Sequence, residues 1–90
     1  SKVADLIKAL SAKGHAITVH DPHADADEAA HEYGITLSGD LAGRHDLVLL
    51  AVPHREYLAM GADALRGLVS EGGMLADLKG ALGTGADWTL

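Results

Sequence analysis

Leu47 to Val52 is an unbroken aliphatic run with no polar residue alternating through it. A strand with one wet face alternates in polarity. A short, wholly apolar run belongs instead to a strand covered on both faces, as in parallel sheets whose crossover helices lie above and below. Pro53 closes the run. A helical pattern follows from about Glu56 to Val69, with Tyr57, Leu58, Leu65, Leu68 and Val69 as its buried candidates and Gly61 placed to break it in two.

The rest of the chain repeats this alternation. Val3, Leu6, Ile7 and Leu10 form the i, i+3, i+4, i+7 stripe of an amphipathic helix, with Ser1 as N-cap and Gly14 as the left-handed stop. Ala16 to His20 reads as a strand through its β-branched Ile17, Thr18 and Val19. Asp21-Pro22 ends it. Asp25, Asp27 and Glu28 crowd the positive end of a second helix dipole, and Gly34 stops that helix. Ile35 to Leu37 is a short strand candidate, and Ser38-Gly39-Asp40 opens a turn or brief helix to Gly43. Gly72-Gly73 turns the chain into a last strand, Met74 to Leu78. The tail from Gly80 to Leu90 has no clear period.

Helices and strands in strict alternation predict an α/β fold, a Rossmann-like doubly wound parallel sheet. The 90 residues suffice for one domain, residues 1–90, and not for two. Such sheets begin on a central strand, whereas this sequence begins on a helix. The leading strand is therefore expected upstream, and the chain reads as a fragment of a larger protein.

Composition narrows the function. A formal net charge of -6 opposes a general nucleic-acid binder, which needs a basic face to displace counterions. Zero Cys excludes disulfides, thiolate zinc sites and thiol nucleophiles from these residues. No apolar run approaches a membrane span, and no signal-peptide pattern opens the sequence, so a cytoplasmic protein is expected. Six histidines invite a metal, but His20 and His23 bracket a proline turn and match no zinc-ligand spacing.

Three strand tips carry polar chemistry: His20-Asp21-Pro22-His23, Val52-Pro53-His54-Arg55 and Asp77-Leu78-Lys79-Gly80. Loops that follow parallel strands gather along one edge, where ligands bind. Asp21 stands where dinucleotide-binding domains place a ribose-bonding acid. Half of that motif is missing, so an Asx-stabilised turn outweighs it. His54 either contacts a ligand or caps and packs against the following helix. Arg55 is a solvated side chain or a phosphate contact. Lys79, alone at a strand tip, is a point-charge donor to a pyrophosphate or sugar carboxylate, or else a surface ammonium.

Taken together, Ser1-Lys2-Val3 through Gly14, Val19-His20-Asp21-Pro22, Glu32-Tyr33-Gly34-Ile35, Asp46 through His54 and Gly72 through Gly80 resemble one family. They are similar to the C-terminal, UDP-binding domain of the UDP-glucose/GDP-mannose dehydrogenases, in the flavour of members that oxidise UDP-N-acetylhexosamines for surface polysaccharide. The resemblance implies a parent enzyme that oxidises a sugar C6 alcohol to a carboxylate with NAD. The NAD is bound mainly by a preceding domain, and the parent is expected to be a homo-oligomer. It implies a UDP-sugar as partner together with the N-terminal NAD-binding and central domains, and an isolated fragment without activity. The family's Asp-x-Arg/Lys maps onto Asp77-Leu78-Lys79 and its Val-x-His onto Val52-Pro53-His54. Asp77, Lys79, His54 and Arg55 are thus the expected substrate-binding residues, with no catalytic residue. The family's preceding strand, ending in Phe-Lys and followed by Asp-x-Arg, is absent from these residues, and its tail arginine falls near Thr89. Two rivals stand beside this reading: an NAD-binding domain of prephenate- or hydroxyacid-dehydrogenase type, and a non-catalytic α/β binding module.

Overall fold

A computed structural model describes residues 2–90. They form two compact units, one ending at Leu41 and the other Ala42–Leu90. The Ser1 N-cap expected from the sequence lies outside the described residues.

The first unit holds helices α1 (Lys2–Ala12) and α2 (Ala26–Tyr33). The stripe on α1 is half-buried along its length, and Gly14 ends the helical path at φ 92. On α2 the Asp25 carboxylate accepts from the Glu28 N–H at 2.9 Å, capping an otherwise orphaned donor. Gly34 closes the helix in the left-handed region. The two strands expected at Ala16–His20 and Ile35–Leu37 shrink to a single parallel bridge between Val19 and Leu37. Among the described residues neither segment pairs with another strand, and an isolated pair lacks the burial that makes strands persist.

The second unit is a parallel sheet covered by a helix. Its strands β1 (His45–Leu50), β2 (Val69–Asp77) and β3 (Trp88–Thr89) lie in the order β1-β2-β3, with both pairings parallel. Helix α3 (Arg55–Arg66) is the crossover between β1 and β2. The observed class is therefore the Rossmann-like α/β arrangement with co-directional strands.

Several boundaries differ from expectation, each for a local reason. β1 stops at Leu50 because β2 turns away after Asp77; the Leu78 N–H still donates to the Leu50 carbonyl at 3.0 Å, and nothing continues the ladder to Val52. Val69 opens β2 and is not the end of a helix, since α3 finishes at Arg66. Gly72-Gly73 is not a turn before the strand but a bulge within it. From His45↔Val69 to Leu47↔Met74, β1 advances two residues while β2 advances five. The tail, without a period in sequence, contains a 3₁₀ turn at Gly83–Gly85 and supplies β3.

The core joins Leu50, Tyr57, Leu65, Val69 and Leu75, with Val48, Leu68, Leu82 and Ala86 packed against it. Tyr57 and Leu65 come from α3, and Val48, Leu50 and Leu75 from one face of the sheet. Leu58, expected inside, is exposed at 43%. Gly61 has φ 82 and ψ 165, so α3 kinks there, with Tyr57 buried before the kink and Leu65 after it. None of the described helices is long and apolar enough to cross a membrane.

Candidate functional site

The strand register brings the carboxyl ends of the second unit into line. Leu50 pairs with Asp77, and Asp77 pairs with Thr89. The loops after β1 and β2 therefore leave the sheet at the same edge. Three of the four expected substrate-binding residues lie in those loops or directly after them, and the fourth, Asp77, ends the central strand.

After β1, the chain makes a tight turn in which the His54 N–H donates to the Val52 carbonyl at 2.8 Å. His54 then stands at the N-cap position of α3. Its side chain does not cap the helix; its carbonyl accepts from Tyr57 and Leu58 at 3.0 and 3.2 Å. The half-buried imidazole instead packs on the Tyr57 ring, with centroids 5.8 Å apart. Of the readings open for His54, packing at the helix start is the one its surroundings display. Arg55, one residue on, is exposed.

After β2, Asp77-Leu78-Lys79-Gly80 forms a turn in which the Gly80 N–H approaches the Asp77 carbonyl at 3.4 Å. Gly80 lies in the left-handed region at φ 67, which a side chain would disfavour. Asp77 is wholly buried, and its Oδ2 accepts from the Leu82 N–H at 2.8 Å. Its other oxygen, Oδ1, has no hydrogen-bond partner among the described residues. Lys79 is exposed.

The cations of this unit divide cleanly. Arg66 donates from Nη1 to Asp87 Oδ2 at 3.0 Å and from Nη2 to the Gly85 carbonyl at 2.7 Å. Arg44 donates to the Val69 carbonyl at 3.2 Å. Both are committed to the fold. Arg55 and Lys79 make no hydrogen bond or ion pair among the described residues, and both sit at the strand-end edge. Two uncommitted cations are the kind of local donor that an anionic ligand would need in a chain of net charge -6.

Asp87 is the residue sequence reasoning missed. Its Oδ2 also accepts from the Leu75 N–H at 2.9 Å, and its own N–H donates to the Leu75 carbonyl at 2.8 Å. Together with Arg66 it ties α3, β2 and β3 behind the edge. The Arg66 hydrogen bond, and then the Leu75 N–H, hold the Asp87 carboxyl below its ordinary value. A lone Asp before Trp-Thr in a glycine-rich tail gives no sequence signal of this role.

Asp21 belongs to the other unit. Its Oδ1 accepts from the His23 and Ala24 N–H groups at 2.8 and 3.2 Å, the Asx turn anticipated from Asp-Pro. No group of three or more His, Asp or Glu among the described residues could hold a metal ion.

Comparison with known proteins bears on the family of the chain. The UDP-glucose/GDP-mannose dehydrogenase family, UDP binding domain, matches residues 1–84. The UDP-N-acetyl-D-glucosamine 6-dehydrogenase of Pseudomonas aeruginosa is 40% identical over 80 residues, covering 88% of this chain and 19% of that protein. The Salmonella typhi enzyme of the same name is 31% identical over 80 residues, with the same coverage. Protein CapL of Staphylococcus aureus is 35% identical over 83 residues, 91% of this chain and 19% of its own. The chain thus spans about a fifth of the length of these relatives. No solved structure matches it.

Proposed function

The chain belongs to the UDP-glucose/GDP-mannose dehydrogenase family, as its UDP binding domain, and from that membership we propose that it holds the diphosphate of a UDP-sugar at the strand-end edge. The observation that carries the reading is the pair Arg55 and Lys79. Both follow strand ends at the same edge, both are exposed, and neither is bonded to another described residue. Lys79 serves as the point charge on the diphosphate, with Arg55 as a second donor able to fork across two oxygens. His54 backs the loop through its packing on Tyr57.

The whole protein is proposed to oxidise the C6 alcohol of a UDP-N-acetylhexosamine to a carboxylate, in the cytoplasm, for surface polysaccharide. That is a four-electron oxidation with water as the oxygen source, and two NAD molecules accept the electrons. The residues described here do not fit NAD. The loop entering α3 is Ala51-Val52-Pro53-His54, without the glycines that let a pyrophosphate reach a helix start. The dinucleotide is assigned to another domain of the protein, no step of hydride transfer is assigned to these residues, and the parent is proposed to be a homo-oligomer.

Calorimetry of the chain with UDP, UDP-N-acetylglucosamine and NAD tests the assignment. Heat with both uridine nucleotides and none with NAD supports it; heat with NAD alone would make this an NAD-binding domain. Lys79→Ala in the full-length enzyme should raise KM for the UDP-sugar roughly tenfold or more, the worth of one hydrogen bond to a charged group. An unchanged KM removes Lys79 from the site.

A further inference from the structure

We propose that Asp77 is a positioning residue: its buried carboxylate fixes the turn that presents Lys79, and UDP-sugar affinity depends on it through Lys79. The inference rests on the reading of Lys79 as a diphosphate contact.

Three hydrogen bonds hold the segment that carries Lys79. The Leu78 N–H donates to the Leu50 carbonyl at 3.0 Å, and the Gly80 N–H to the Asp77 carbonyl at 3.4 Å. Both use backbone acceptors that any residue would provide. The third is the only one that needs an aspartate, the Leu82 N–H to Asp77 Oδ2 at 2.8 Å. It is also the bond that closes the far end of the segment. Without it, the far end is held by the packing of Leu82 against the core and by no hydrogen bond back to β2 among the described residues.

The environment of Asp77 shows that packing does not explain the residue. It is 0% exposed, on the sheet face that carries Leu50, Leu75 and the α3 contacts. Burying a carboxylate is unfavourable unless its oxygens are hydrogen-bonded. Oδ1 has no such partner among the described residues. An apolar side chain would be less costly at this position, as Leu75 is two residues earlier. What an apolar residue cannot do is accept from Leu82.

A fixed turn matters because Lys79 carries its ammonium on a flexible four-carbon stem. If the backbone beneath it also moves, both must be ordered when ligand binds, and affinity falls by that entropy. Gly80 tightens the same device. A Cβ there would lie 3.3 Å from Thr89 Oγ1, so the turn runs close against β3.

Steady-state kinetics of the full-length enzyme test the proposal with Asp77→Ala, Asp77→Asn, Lys79→Ala and the double variant Asp77→Ala/Lys79→Ala. Asp77→Ala is expected to raise KM for the UDP-sugar about 2- to 10-fold, the ordering cost of one loop side chain, with KM for NAD unmoved. Asp77→Asn keeps an oxygen for Leu82 and restores most of that loss. The double variant is no worse than Lys79→Ala alone, because Asp77 acts only through Lys79. Should Asp77→Ala not fold, Leu82→Pro removes the donor, leaves the carboxylate, and must reproduce the KM rise. Additive effects, an Asp77→Asn as damaging as the alanine, or an unmoved KM in Asp77→Ala would each overturn the role while leaving Lys79 in place. An unmoved KM in Lys79→Ala would remove the diphosphate reading and the inference together.

Discussion

Gly73→Ala tests the strand register on which the edge depends. A Cβ at Gly73 would lie 2.7 Å from the Asp46 carbonyl oxygen, 2.8 Å from Val69 Cγ1 and 3.0 Å from the Ser70 carbonyl oxygen. Two of these neighbours are backbone, and the third is a stiff β-branched side chain in the core. None can swing aside. Carbon contacts relax only near 3.5 Å or beyond, so β1 and the bulge of β2 must part by most of an ångström. Overpacking of this kind costs about 1–3 kcal/mol, and rigid neighbours place Gly73 in the upper half of that range. Replacing glycine also narrows the unfolded chain, which returns about 0.4–1 kcal/mol. The net loss is then roughly 1–2.5 kcal/mol, and for a chain this size the thermal midpoint falls by about 5–20 °C. Gly39→Ala is the control: nothing lies within 4 Å of its Cβ position and its φ is outside the left-handed region. Only the unfolded-state gain applies there, and the midpoint should hold or rise. Thermal melts followed by circular dichroism compare the two. A Gly73→Ala protein that melts within about 2 °C of Gly39→Ala would show that the bulge is not packed as described.

Two further outcomes follow from the core and the tail. Leu75, wholly buried on β2 in the core shared with α3, should lose about 2–5 kcal/mol on Leu75→Ala, read as a lower urea midpoint with an unchanged slope. Asp87 sets an acid-side dependence. Its folded value lies below the ordinary 3.8, so its contribution is present above that value and is lost as pH falls through the folded one. Urea midpoints measured above and below the carboxylate range should therefore fall less steeply with acid in Asp87→Asn than in the parent chain. An equal fall in both would show that the Arg66–Asp87 pair is not linked to folding.

The parts of this fold legible in sequence are those with local causes. Gly34 stops α2 and Asp25, read as a charge at the positive end of its dipole, also caps it, both through bonds within a few residues. The apolar run that became β1 was readable as a strand from its aliphatic residues, but the cover on both faces expected of it is not what the structure shows: Leu47 and Val52 are exposed at 46% and 41%. What stayed hidden depends on distant partners. Ala16–His20 has good strand chemistry yet pairs only at Val19, since a strand exists by virtue of its neighbour. β3 is two residues long, too short for any period, and is held by Asp87 reaching Leu75 twelve positions away. Leu58 follows the helical stripe but is exposed, because the segment of α3 before the Gly61 kink buries its neighbour Tyr57 instead.

The candidate site shows the same division between local motif and distant register. The sequence places Lys79 directly after an expected strand end at Leu78 and Arg55 three residues after another at Val52, but not whether those ends coincide. Coincidence is set by the bulge at Ser70–Gly73. It takes up three extra residues of β2 and so brings Asp77, and no other residue, opposite Leu50. One residue fewer in that bulge would shift the pairing and turn Asp77 to the opposite face of the sheet, since side chains alternate. The carboxylate would then no longer lie on the Leu82 side, and the turn carrying Lys79 would lose the hydrogen bond from Leu82 to Asp77. The glycines at 72 and 73, remote from the edge in sequence, are therefore part of what builds it: Gly72 bends the chain at φ 79, and Gly73 lets β1 come close enough to fix the count.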